Sequence, residues 1–179
     1  MPKERCPLHP EALGELARGV IVSVFLFSAV SKLRSLEDFR RTFISLGVSA
    51  APVLWALPRM VVAAEIGCVL ALLAGATRAG FIAAALLLTS FTAVFALVAV
   101  RGADVRCNCF GSSPTRVGWP DVIRNLLLVA VAITGALVSS SAPGLHFEAA
   151  MLPGLATGVA LAIAITSVRH VQTALRSDL

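Results

Sequence analysis

The chain has 179 residues, of which 58% are hydrophobic and 14% charged, and its mean hydropathy is +0.88. A soluble domain of that size has no interior able to hide so much apolar surface, so the class is polytopic membrane protein. The net charge of +5 does not indicate nucleic acid, because the arginines sit at the ends of apolar segments and no basic stripe interleaved with aromatics exists.

Residues 1–18 are balanced rather than basic, with Lys3, Arg5 and Arg18 against Glu4, Glu11 and Glu15. A secretory leader wants a positive first region, so the apolar segment that follows is expected to be a retained helix. That first span covers residues 16–30 and closes on Lys32 and Arg34, which are expected to snorkel to the headgroups. It is slightly short, so tilt or local thinning is expected. Ser35-Leu36-Glu37-Asp38 has the pattern of a capping box, which starts a helix. Leu36, Phe39, Phe43 and Leu46 then recur at helical spacing opposite Glu37, Asp38, Arg40 and Arg41, and Gly47 stands where a C-cap belongs. So short an amphipathic segment cannot span and reads as an interfacial helix.

Pro52 and Pro58 are expected to break the chain before a second span at residues 59–76, with Thr77-Arg78-Ala79-Gly80 as the reversal. A third span runs to about residue 100. The polar hairpin Arg106-Cys107-Asn108-Cys109-Phe110-Gly111 follows. Pro120 suits a first helical residue and Asp121 the positive helix end, opening a fourth span to residue 138. After a linker at 139–144, a fifth span is expected at 149–168. The fold expected is an all-α membrane protein: a four-helix transmembrane bundle, a fifth transmembrane helix and a short interfacial helix. Its divisions are a polar segment (1–15), the bundle with its Cys-x-Cys hairpin (16–141), and a linker, last helix and tail (142–179). Ala63, Ala64, Gly67, Ala71, Ala74, Gly75 and Ala83 to Ala85 are small enough to let helices approach closely in lipid.

Four cysteines are distributed unevenly. Cys6 lies on the membrane side opposite the hairpin and reads as an ordinary terminal cysteine; Cys6-Pro7-Leu8-His9 offers only half of a zinc-site spacing. Cys68, inside the second span, reads as a small core residue, with a resolving thiol as the sharper alternative. Glu65, in the second span, and Arg124, early in the fourth with Asn125 beside it, are ionisable groups in lipid and so functional candidates. Both depths are reckoned from the hairpin side, and the two are expected to pair, as a functional element or as a structural pin. Cys107 and Cys109 have three readings. As a redox couple, their small ring would strain the bond and speed exchange, with Arg106 favouring the thiolate. As a Cu(I) site they lack a nearby His or Met. They are otherwise two incidental loop cysteines.

These residues together bring a family into view. The chain resembles the MauE branch of the MauE/DoxX-like membrane proteins. The likeness rests on Cys107-Asn108-Cys109-Phe110-Gly111, on Lys32-Leu33 closing the first span, on Glu65 followed by small residues to Gly75, and on Arg124-Asn125. It covers roughly residues 16–138. MauE-like proteins are associated with maturing the disulfide-rich small subunit of methylamine dehydrogenase alongside a thioredoxin-like partner. The resemblance therefore implies a multi-pass protein of the cell (inner) membrane carrying out thiol–disulfide chemistry. Cys107 and Cys109 would be the reacting pair, with a thioredoxin-like protein or a cysteine-rich secreted client as partner. The arrangement is also similar to quinone-linked disulfide-forming bundles, which implies a quinone as the candidate cofactor, although the Cys-x-Cys spacing departs from their Cys-x-x-Cys.

Two signals disagree on orientation. Basic residues concentrate on the hairpin side, which by the positive-inside rule places the cysteines in the cytoplasm. The resemblance implies the opposite face. Two further functional classes stand beside the redox reading: a non-catalytic membrane subunit that positions a partner enzyme, and, more weakly, a small-solute transporter.

Overall fold

The computed structural model describes residues 10–102, 106–107, 115–116, 118–139 and 152–160. Among them are α1 (Pro10–Arg34), α2 (Leu36–Ser45), α3 (Ala51–Leu73), α4 (Thr77–Arg101) and α5 (Trp119–Val138). Residues 152–160 form a further helix, α6. Two-residue strands β1 (Arg106–Cys107) and β2 (Thr115–Arg116) pair antiparallel, with Cys107 opposite Thr115. The fold is all-α, and α1, α3, α4 and α5 are each long and apolar enough to cross a membrane.

α1 packs on α3 and α5, and α4 packs on α3 and α5, so the four spans close a ring in the order α1, α3, α4, α5. Successive spans alternate in direction. One end of the bundle therefore holds α2 and the hairpin, and the other the α3–α4 turn. The main core is an apolar column that includes Ile21, Phe25, Leu72, Phe81, Ala84, Leu128 and Ala132, and a smaller cluster of Phe95 and Val122 lies apart from it. Cys68 packs within it, as a small core residue would. Leu70, Leu86, Val100 and Leu137 point outward and are well exposed; in a bilayer that surface meets acyl chains.

Several element boundaries differ from the sequence reading. The 25 residues of α1 give a rod of about 37 Å at 1.5 Å per residue, longer than the core of a bilayer, so no thinning is required. α2 starts at the expected place, yet Ser35 makes no side-chain capping bond. Its first turn carries Glu37 and Asp38 instead, each paired three residues on with Arg40 (2.8 Å) and Arg41 (3.7 Å). Gly47 ends it at φ +90°, as its C-cap position implied. Neither proline breaks the second span. Pro52 sits in the first turn of α3, where an amide hydrogen is not needed, and Pro58 lies inside a continuous helix.

The reversal after α3 falls earlier than Thr77-Arg78-Ala79-Gly80. Those residues are the first turn of α4. The chain turns at Ala74-Gly75-Ala76, where Gly75 takes φ +86°. The small residues of α3 are also not the close-packing seam. Ala63, Ala64, Gly67 and Ala74 face outward. The tight approaches lie elsewhere: a Cβ on Gly135 of α5 would stand 2.5 Å from the Phe81 ring of α4.

α6 is the described part of the expected fifth span, the rest of which lies outside the described residues. It runs alongside α1 in the same direction. A Cβ on Gly154 would meet the Leu16 carbonyl oxygen at 2.5 Å, and one on Gly158 would meet Ser23 at 2.6 Å. The two backbones touch there, and the Ser23 hydroxyl donates to the Leu155 carbonyl at 3.3 Å. This is the small-xxx-small packing of helices in lipid.

Candidate functional site

The sequence places Lys32, Glu65, Arg124 and Asn125 in three different spans, and the bundle brings all four to one cavity near the hairpin end. Val24, Phe25, Ser28, Leu88, Phe91 and Phe95 complete its wall. Within it, the Lys32 ammonium donates to Glu65 Oε1 at 2.5 Å and to Ser28 Oγ at 2.6 Å, and Ser28 Oγ donates to the same carboxylate oxygen at 3.0 Å. Lys32 and Glu65 are 2% and 1% exposed. Phe39 of α2 and Phe91 of α4 each turn a ring toward the ammonium, with centroids 5.4 Å away. The cation is thus wrapped by a carboxylate, a hydroxyl and two π faces, which together replace the water it has lost.

This overturns two expectations, and one geometric rule explains both. Side chains of a helix lean toward its N-terminus. α1 arrives at the hairpin end, so Lys32 leans back down into the membrane, over Ser28 one turn earlier, rather than up to the headgroups. α3 leaves the hairpin end, so Glu65 leans up toward Lys32. α5 also leaves the hairpin end, so Arg124 leans up over Asp121, one turn earlier on the same helix. Its guanidinium lies 3.4 Å from Asp121 and donates to Asn125 Oδ1 at 3.3 Å. Glu65 therefore pairs with Lys32, not with Arg124. Lys32 and Arg124 line the same cavity as Glu65, each beside its own buried carboxylate, Glu65 for Lys32 and Asp121 for Arg124.

Asp121 also serves the backbone. Its carboxylate accepts from the Gly118 amide at 3.2 Å and closes the first turn of α5. The cavity measures about 20 Å³, which is room for about one water molecule. The second oxygen of Glu65 has no hydrogen-bond partner among the described residues and belongs to a residue that lines that space. Ser28 was missed in the sequence. Its signal was available, since it lies four residues before a lysine inside an apolar run.

β1 packs against α2, so the strand that carries Arg106 and Cys107 rests on the interfacial helix, at the same end of the bundle as the polar cluster. Cys109, Phe110 and Gly111, and Cys6 at the other end of the chain, lie outside the described residues. Cys68 sits three residues beyond Glu65 on α3 and is buried.

A ring of four spans with an ion pair and a hydroxyl buried between them and a second, half-buried cation beside them defines a multi-pass membrane protein with a polar site within its bundle. Residues 10–138 match the family model of methylamine utilisation protein MauE, nearly three-quarters of the chain, and the protein belongs to the MauE family. Comparison with curated proteins and with solved structures gives no match.

Proposed function

We propose that this MauE-family protein is a membrane thiol–disulfide redox protein that supports the maturation of disulfide-containing extracytoplasmic proteins. The observation that carries the reading is the Cys-x-Cys sequence on a hairpin whose first strand packs on α2, above the enclosed polar cluster. The family's tie to methylamine utilisation supports it, with a thioredoxin-like or cysteine-rich secreted protein as partner. In this reading Cys107 is the outer thiol and Cys109 the resolving one. A Cys107 thiolate attacks the partner's disulfide, one partner sulfur leaves as a thiolate and takes up a proton, and a mixed disulfide forms. Cys109 then loses its proton and attacks Cys107, releasing the second partner sulfur. The hairpin ends as a disulfide and the partner as a dithiol, so two electrons and two protons have moved. Run backwards, the same steps oxidise a client. Lys32, Glu65 and Arg124 hold the spans beneath the hairpin in register.

The test is one experiment on cells expressing the Cys6→Ser, Cys68→Ser protein. Adding Cys109→Ser should leave Cys107 holding a partner in a band that collapses on reduction. Thiol trapping of the protein with both hairpin cysteines should find dithiol and disulfide forms together. Applied before lysis, a membrane-impermeant maleimide should reach the hairpin. Full reduction under every condition with no partner captured, or labelling only after lysis, removes the extracytoplasmic redox role.

A further inference from the structure

A second cavity, of about 210 Å³, opens between α2 and the start of α3 and is lined by Leu36, Glu37, Arg40, Leu54, Trp55 and Pro58. Trp55 is 50% exposed and carries two guanidinium groups, those of Arg40 at 4.4 Å and Arg59 at 5.3 Å from its ring centroid. We infer that this is a binding site for the headgroup of an anionic phospholipid, with the phosphodiester held by Arg40 and Arg59.

Charge points to an anion. Arg40 gives one Nη to Glu37 at 2.8 Å, while its Nε is buried without a hydrogen-bond partner among the described residues. Arg59 has no carboxylate partner among them; its contact is the Trp55 ring. Two guanidinium groups therefore face one carboxylate, leaving an excess positive charge beside an unused donor. A phosphodiester offers acceptor oxygens suited to guanidinium groups. The backbone adds to the polarity of the pocket, because Pro58 has no amide hydrogen to give the Leu54 carbonyl one turn before it. A headgroup that brings its own hydroxyl donors, as a glycerol does, suits that wall.

Position selects a lipid over a soluble phosphate. α2 is amphipathic and too short to span, so it lies in the interface, and a half-exposed tryptophan marks the same level on α3. Exposed apolar residues at the end of α2 and along the start of α3, Ile44, Leu46, Val53 and Met60, give acyl chains an apolar surface to follow. The site stands apart from the Cys-x-Cys chemistry and does not depend on it.

The experiment uses the full chain purified in a neutral detergent. Binding is read by native mass spectrometry and by the melting temperature, with phosphatidylglycerol, with phosphatidylcholine of the same acyl chains, and with inorganic phosphate. Phosphatidylglycerol should bind and raise the melting temperature more than phosphatidylcholine, and inorganic phosphate should do neither. Arg59→Gln removes a side chain whose contact is one ring face, so the fold should persist. A basic residue near a charged membrane surface contributes about 1 kcal/mol, so the variant should weaken phosphatidylglycerol about fivefold. Phosphatidylcholine binding should not change. Equal binding of the two lipids, an Arg59→Gln protein that keeps full preference for phosphatidylglycerol, or a response to inorganic phosphate matching that to the lipid would overturn the assignment.

Discussion

At the turn end of the bundle, Arg18 is tied to its own helix and to backbone: it donates to Glu15 at 3.3 Å and reaches across to the Leu73 carbonyl of α3 at 3.4 Å, where the chain reverses in three residues. At the hairpin end, where β1 carries Cys107, charge meets charge between helices, around a cavity. One cation completes a helix terminus, where the last carbonyls of α3 would otherwise lack partners. The other is held by a side chain thirty-three positions away in sequence and is lost if either partner changes. An arginine that satisfies backbone serves as a clamp, whereas a lysine on a buried carboxylate makes two helices depend on each other.

Breaking the Lys32–Glu65 pair on one side gives the largest expected effect on the fold. Glu65→Ala leaves an ammonium stranded in the bundle and should cost about 3–5 kcal/mol of stability, read by thermal melting in detergent. Lys32→Met with Glu65→Leu replaces both charges by apolar groups and should recover most of that loss. If the double variant is as unstable as the sum of the singles, the pair is not the contact it is described to be.

Breaking the turn end should cost less. Arg18→Met removes one charged hydrogen bond to a carbonyl and one intrahelical pair, a loss of about 1.5–3 kcal/mol. Restoring a neutral partner by changing Glu15 as well should give little back, because the carbonyl of Leu73 remains unserved. A rescue as complete as at the hairpin end would erase the distinction between clamp and mutual dependence.

The smallest expected effect is a coupling. In a double-mutant cycle in detergent, Glu65→Ala and Arg124→Ala should couple only weakly, by about 0.5–1 kcal/mol, as residues that share a cavity without touching do, whereas Glu65 and Lys32 should couple more strongly. A Glu65–Arg124 coupling as large as that of Glu65 with Lys32 would make the two cations equal partners of the carboxylate.

The bundle, the interfacial helix and the start of α5 were legible in the sequence because each follows from a local signal: a long apolar run, a helical period with charges opposite, a proline followed by an acid. The candidate polar residues were legible too, since ionisable groups inside apolar runs announce themselves. Their pairing is not legible in sequence, because depth along a helix does not say which way a side chain leans, and the lean sends Arg124 toward Asp121 and Lys32 back into the bundle where Glu65 meets it. The close-packing seam was misplaced for a related reason. Alanines and glycines are abundant on α3, but composition does not say which face looks inward; Gly67 has nothing near it, whereas Gly135 takes the edge of Phe81. Pro58 was read as a break because proline removes one helical bond, yet α3 continues through it, as spanning helices packed against neighbours can.

The contact of α6 with α1 bears on the order in which the protein is made. α1 precedes the other described spans in the chain, and the residues that cover its Gly19 face follow all of them. The hydrogen bond from Ser23 to Leu155 closes over 132 positions. Contacts that distant in sequence form late, after the nearer pairings have fixed the helices in place. During synthesis α1 is therefore held by α3 and then α5, while its glycine face looks onto lipid until the backbone of Gly154 arrives to touch it. A chain halted after α5 would carry the whole stretch matched to the family and still lack the covering of its first helix.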